Sequence, residues 1–275
     1  MSVHPTSIHS TGNAGHTDPA DSVHRTASAG FSQTDSYVRG RPDYPAEIQT
    51  WLSEAIGLHK GVTVIDLGAG TGKFTPRLVK TGATVIAVEP VPAMRATLSA
   101  ALPEVMALAG TADAIPLPDG SVDAVICAQS FHWFATPEAL REILRVLKPG
   151  GRLGLVWNMR DASVDWVARL DAIVNRVEGD TPRYYTGAWR KVLPFPGFGP
   201  MQETHFKNGH TGTPEDVIVN RVRSTSFVAA LPPSARAGIE NELRALIASV
   251  PSLNGQASIT VPYETAAYWM TKTPA

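Results

Sequence analysis

The run Val64-Ile65-Asp66-Leu67-Gly68-Ala69-Gly70-Thr71-Gly72 limits this chain to folds in which a short apolar strand hands over to a helix through a tight turn. Glycines at alternate positions let the backbone bend sharply there and approach a ligand where a Cβ would collide. A pyrophosphate would suit such a loop for its free N–H groups. An acid immediately before the loop, Asp66, suits a cationic ligand better. A second acid, Glu89, ends the next apolar run, Thr84-Val85-Ile86-Ala87-Val88. A carboxylate at that place can accept both hydroxyls of a ribose.

The surrounding sequence alternates strands with helices. Residues 45–56 read as an amphipathic helix, with Ile48, Trp51, Leu52, Ala55 and Ile56 on one face and Pro45 at its start. Strands are expected over 62–67, 84–89, 105–109, 123–128 and from Arg152 to Trp157. Helices are expected over 72–81, 92–101 and 137–147, with Pro76 tolerable only in a first turn. Lys148-Pro149-Gly150-Gly151 stops the last of these helices. This rhythm predicts an α/β fold with a doubly wound, mainly parallel sheet, whose ligand crevice lies at the carboxyl ends of the strands. Asp66, Glu89 and Gln129 all fall at such ends. Further on, 162–178 and 234–249 read as helices, and Gln202 to Thr211 as a strand. Ser258 to Trp269 reads as a final strand in which Pro262 favours an edge position or a bulge.

Residues 1–30 are rich in Ser, Thr, Gly, Ala and His and lack apolar periodicity, so they are expected to form a disordered tail ahead of a domain over 31–275. In that domain, about 60–158 is expected to form the binding core and about 159–275 to shape a substrate site. The net charge of −1 provides no basic excess for nucleic acid. The single cysteine, Cys127, excludes an intrachain disulfide and a cysteine metal site; it reads as an inert core thiol. No apolar run approaches the roughly 20 residues of a membrane span, and the first residues lack a signal-peptide core. No membrane partner and a cytoplasmic location are therefore expected.

The glycine loop with its preceding acid resembles motif I of the class I S-adenosylmethionine-dependent methyltransferases. Its spacing is G-x-G-x-G, against the dinucleotide fingerprint G-x-G-x-x-G, which disfavours a nicotinamide-dependent oxidoreductase. The resemblance implies a Rossmann-like, seven-stranded sheet with an antiparallel last strand and C-terminal helical insertions. It implies S-adenosyl-L-methionine as cofactor, held by Asp66, Gly68, Ala69, Gly70, Gly72, Glu89, Pro90 and Gln129. The segment Ala112-Asp113-Ala114-Ile115-Pro116-Leu117-Pro118 matches the family's acidic stretch after the third strand. There Asp113 would accept from the adenine amino group, and the Ala114 N–H would donate to the ring. The bland alternative is a loop turn with an Asx-type cap.

Ala128-Gln129-Ser130-Phe131-His132-Trp133-Phe134 corresponds to the family segment beside the methionine end of the cofactor and the substrate. Its aromatics either wall off the reactive methyl or pack between sheet and helix, and His132 is a candidate general base. Leu147 to Leu153 resembles an architectural motif. Tyr37-Val38-Arg39-Gly40-Arg41-Pro42-Asp43-Tyr44-Pro45 is similar to the leader of the trans-aconitate methyltransferase-like subgroup, and Val261 to Thr265 to its terminal strand. Tyr37 and Arg41, with Trp133, are thus candidates for the cofactor carboxylate or an acidic substrate group; Arg41 pairing with a surface acid is the alternative.

Nucleic-acid amino-methylating members carry an Asn or Asp with Pro-Pro-aromatic where this chain has Gln129-Ser130-Phe131-His132, which argues against base methylation. The expected activity is methyl transfer to a small molecule, an organic acid or aromatic metabolite, with no metal. A non-catalytic module that binds the cofactor or its demethylated product is the other possibility.

Overall fold

A computed structural model describes residues 41–274. The tail expected over 1–30, and Tyr37, lie outside the described residues. The chain runs α1 (Glu47–Glu54), β1 (Thr63–Leu67), α2 (Thr75–Val79), β2 (Thr84–Val88), α3 (Pro92–Ala101), β3 (Met106–Leu108) and β4 (Val122–Ala128). It continues through α4 (Pro137–Val146), β5 (Leu147–Arg160), α5 (Asp165–Asn175), β6 (Gln202–Gly212), α6 (Pro233–Ser249) and β7 (Ile259–Thr271). The seven strands form one sheet in the order β3-β2-β1-β4-β5-β7-β6. The first five are parallel, and β7 runs antiparallel to both β5 and β6. Among the described residues no helix is long and apolar enough to cross a membrane.

Alternation along the strands divides the core between two faces. Ile65, Leu67, Val125 and Cys127 join α4 residues Leu140 and Ile143 on one side. Val64, Ala124 and Ile126 join Ile48, Trp51 and Leu52 of α1, Leu78 of α2 and Leu98 of α3 on the other. Burial of both faces explains why these strands are apolar throughout rather than alternating with polar residues. Helix starts follow their sequence signals. The Thr136 hydroxyl accepts from the Ala139 N–H at 3.2 Å, with Pro137 in the first turn of α4. Pro76 likewise falls in the first turn of α2, where its missing N–H has no partner to lose.

Two expectations change. β5 begins at Leu147, not Arg152. Its pairing with β4 shifts between Val122 and Ala124, so that Lys148 to Gly151 form an irregular stretch inside the strand. Pro262 lies at neither an edge nor a bulge: β7 is interior, and Pro262 stands opposite Gly209 of β6. The reason is where β5 stops. The last β5–β7 pair is Arg160 with Tyr263, and the Pro262 carbonyl accepts from the Asp161 N–H at 3.0 Å just beyond it. A residue's N–H and C=O point to the same side of a strand, so the donor that proline lacks would face the side on which β5 has ended.

A third apolar cluster belongs to the C-terminal half. Leu170 and Val174 of α5, Leu243 and Leu246 of α6, and Val261 of β7 enclose Val217, Ile218, Val219, Phe227 and Val228. These last residues belong to short helical turns, Glu215–Asn220, Arg221–Arg223 and Ser226–Ala229, which cover one end of the sheet.

The close approach of α1 to the sheet rests on Gly154 of β5. A Cβ there would lie 2.6 Å from the Ile126 Cδ1 and 3.0 Å from both the Ile56 Cδ1 and the Trp51 Cη2. Gly154→Val is expected to lower stability by about 1–3 kcal/mol through overpacking, read by urea denaturation. An unchanged midpoint and slope would show that α1 is not packed this tightly.

Candidate functional site

The site is assembled where β1, β2 and β4 end. The glycine loop folds back onto β2, with the Gly68 and Ala69 N–H groups donating to the Val88 carbonyl at 2.8 and 3.3 Å. Gly68 has φ of 69°, and a Cβ there would come within 2.8 Å of the Ser130 Cβ. At this position the missing side chain therefore admits Ser130, whose hydroxyl donates to the Leu67 carbonyl at 2.7 Å and ties β4 to β1.

Two carboxylates face the loop, with Asp66 only 1% and Glu89 5% exposed. Glu89 accepts the Gly70 N–H on Oε2 and the Val91 N–H on Oε1, each at 2.8 Å. One carboxylate thus gathers backbone donors from the loops after β1 and β2. A carboxylate has roughly four lone-pair sites, so capacity remains for ligand hydroxyls. Burial raises the Glu89 carboxyl above the usual range, opposed by these two N–H groups and the Arg95 charge. Burial also pushes Asp66 from 3.8 up to about 7, against a hydrogen bond from the Thr75 hydroxyl, with the Glu89 charge adding to the rise. That hydrogen bond measures 2.7 Å. A buried acid poised near neutrality is suited to a cationic partner, whose charge would favour its ionised form.

These groups line a cavity of about 280 Å³. Of the residues expected from the sequence, Arg41, Asp66, Gly68, Ala69, Gly70, Glu89, Pro90, Asp113, Gln129 and Trp133 line it. Val91 and Met94 add apolar wall from outside the quoted motifs, and Ala112 and Phe134 from within them. The segment carrying Asp113 is held from outside the cavity. Glu142 accepts the Ile115 N–H at 2.8 Å, and Arg145 donates to the carbonyls of Ile115 and Leu117 at 2.9 and 2.8 Å.

Three expected roles meet obstacles in the geometry. Ala114 does not line the cavity; its N–H donates to the Thr111 carbonyl at 3.2 Å, closing a tight turn, so that donor is already engaged. Gly72 also stands outside the lining and packs against Leu98. His132 borders a second cavity, but its Nδ1 accepts the Trp157 indole N–H at 3.0 Å. Indole nitrogen only donates, so Nδ1 holds its lone pair and the neutral ring carries its proton on Nε2. No basic lone pair is then free for a substrate. Burial, with the Arg183 and Arg41 charges, pushes His132 from 6.5 down to about 3.

Gln129 is the only non-glycine residue with positive φ among the described residues, at 58°. Such a conformation costs roughly 1–2 kcal/mol. It is held by a backbone bond to the Val156 carbonyl at 2.8 Å and a side-chain bond to the Asn158 carbonyl at 2.9 Å. Strain of this kind concentrates at functional sites, and Gln129 lines both cavities.

The second cavity measures about 650 Å³ and shares Arg41, Gln129, Trp133, Asn158 and Arg221 with the first. Its remaining wall comes from the end of β5, α5, β7 and the segment before residue 188, including Tyr184 and Tyr185. Trp157 and Trp189 are core residues, with ring centroids 4.6 Å apart. Phe227 is buried in the C-terminal cluster.

Comparison with known proteins agrees with this architecture. A methyltransferase domain family matches residues 65–155. An uncharacterized methyltransferase-like protein of Schizosaccharomyces pombe is 39% identical over 240 residues, covering 87% of this chain and 93% of that protein. An uncharacterized methyltransferase of Mycobacterium tuberculosis is 43% identical over 234 residues, covering 85% and 91%. The solved structure of a type II methyltransferase candidate from Anaeromyxobacter dehalogenans shares the fold, with a TM-score of 0.66 at 24% identity over 86% of this chain and 99% of that one. Strand order, sheet direction and full-length likeness to these relatives lead to one family: the chain belongs to the class I S-adenosylmethionine-dependent methyltransferases.

Proposed function

We propose that this methyltransferase acts on a small molecule, an organic acid or aromatic metabolite, with S-adenosyl-L-methionine in the first cavity and the acceptor in the second. The observation that carries this reading is the pair of adjoining cavities, which share Gln129, Trp133 and Asn158 beside the ends of β4 and β5. A walled chamber of that size suits a metabolite rather than a polymer. The division of labour follows: residues 60–158 hold the cofactor and 159–275 shape the acceptor site. The proposal includes the subgroup likeness of the leader, of which Arg41, Pro42 and Tyr44 line the first cavity.

The donor set fits the cofactor. Glu89 retains acceptor capacity for ribose hydroxyls, Val91, Met94 and Ala112 form an apolar slot for a flat ring, and Asp113 stands exposed at its rim. Asp66 meets positive charge. The bound cofactor supplies a sulfonium methyl that is already activated, so the chain's task is alignment of the acceptor and exclusion of water. Gln129 and Trp133 stand at the junction where that alignment is made. His132 supports the aromatic wall and takes no proton.

Glu89→Gln is expected to weaken S-adenosylmethionine binding by about tenfold or more, roughly 1.4 kcal/mol, in calorimetry. Unchanged affinity would remove the ribose contact. Asp66 determines a pH dependence. A cation lowers its carboxyl below the free value of about 7, so binding releases a proton below that pH. Affinity should rise with pH up to about 7 and then level off, and Asp66→Asn should abolish the slope. Calorimetry in buffers of different ionisation enthalpy reads the proton directly; no release one unit below that value would contradict the assignment. In the free protein the same shift acts against folding: the native state binds the extra proton between 3.8 and about 7, so stability falls as pH rises through that window. His132→Asn keeps an acceptor for the Trp157 indole and should leave the pH profile of turnover unchanged; loss of a basic limb would restore His132 as a base.

A further inference from the structure

Four arginines border the second cavity: Arg41, Arg160, Arg183 and Arg221. In a chain whose net charge is −1, this concentration is a local arrangement and not a by-product of a basic surface. Its acidic neighbours are largely engaged. Asp171 accepts from the Arg160 Nε at 2.6 Å. Glu264 is held by the His205 Nδ1 at 2.6 Å. Asp161 accepts the Ser163 N–H and hydroxyl at 3.0 and 2.6 Å.

Arg183 and Arg221 are different. Among the described residues neither forms a salt bridge. The Arg183 guanidinium lies over the rings of Phe227 and Tyr185, 5.0 and 5.6 Å from their centroids. Among the described residues Arg221 makes only long contacts, to the Thr225 hydroxyl at 3.3 Å and the Ser224 hydroxyl at 3.5 Å. Its Nε is buried without a hydrogen-bond partner. Burial foremost, with the charges of the other arginines, lowers both guanidinium groups well below their ordinary range, to about 10. A buried donor without an acceptor is costly, and so is a cluster of like charges. Both penalties are relieved by an anion with several acceptor oxygens, which guanidinium groups bind in paired, planar fashion.

We propose that Arg183 and Arg221 form an oxyanion subsite in the acceptor chamber, so that the substrate carries a carboxylate or phosphate group held there. This deepens the preceding reading and rests on the second cavity being the acceptor chamber. It selects the acidic alternative over a neutral aromatic one. Arg160, fixed by Asp171, adds positive field without spending its own partner. Arg221 borders both cavities, so an anion seated there lies at the junction with the cofactor site, while Arg183 borders the acceptor chamber alone.

The test is calorimetric titration of the full chain with succinate, its neutral analogue succinamide, and inorganic phosphate, each with and without S-adenosylhomocysteine. Succinate or phosphate should bind and succinamide should not, and the tighter of the two anions identifies the chemistry. Arg183→Gln should weaken that anion at least about tenfold while S-adenosylhomocysteine affinity stays within about twofold, which also shows that the variant is folded. Should Arg183→Gln fail to bind S-adenosylhomocysteine, Arg183→Lys takes its place; it keeps charge but loses the planar fork, and weakened anion binding is again expected. Equal binding of succinate and succinamide by the unaltered protein, or anion affinity indifferent to the Arg183 substitution, overturns the subsite. Failure of S-adenosylhomocysteine to bind the unaltered protein overturns instead the cofactor placement, and the anion titrations without it still decide the subsite.

Discussion

The Glu89 carboxylate is the joint on which the binding site depends. It is nearly sealed from solvent, yet it accepts backbone donors from both the glycine loop and the loop after β2. Its burial is tolerable because those N–H groups and the Arg95 charge replace lost hydration. In return, the loops that leave two paired strands, β1 and β2, are held together beyond the end of their ladder. The Ser130 hydroxyl performs the matching task between β4 and β1, in space that Gly68 leaves open. The cavity is thus shaped by polar ties at the strand ends, laid over a sheet whose apolar packing sets the strand positions.

Asp66 and Glu89 were legible in the sequence because a carboxylate at the carboxyl end of a buried apolar strand has few other purposes. The strands and helices of the first half were legible because both faces of the sheet are covered, giving apolar runs separated by Pro and Gly. Legibility failed where partners are distant in the chain. Pro262 looked like an edge residue because nothing local shows that β5 stops at Arg160. Val217-Ile218-Val219 is as β-prone as any strand here, yet the C-terminal cluster holds it in a helical turn. Ala114 looked like a ligand donor until its carbonyl partner at Thr111 was in view. Arg183 and Arg221 lie in unrelated segments, and only the folded chain brings them to one wall.

His132 shows why residue type alone overstates chemistry. A histidine among aromatics beside a candidate methyl-transfer site invites assignment as a base. The Trp157 indole fixes its tautomer instead, and the two rings join Trp133, Tyr184 and Trp189 in a continuous stack of tilted contacts. Such a wall is rigid because each ring is held by its neighbours and by hydrogen bonds, such as that from the Trp189 indole to the Tyr184 carbonyl.

The interior position of β7 has a consequence for how the molecule comes together. Among the described residues β6 joins the sheet only through β7, yet it precedes β7 in the chain. During synthesis β6 therefore emerges with no strand to receive it, and waits while α6 is made. The β5–β7 pairing spans residues as far apart as Arg152 and Thr271, so sheet completion is a late event with a large loop-closure entropy. Tyr263 and Glu264, which border the second cavity, arrive with that last strand. The first cavity takes no lining residue from β6 or β7, whereas the second is completed only by that strand.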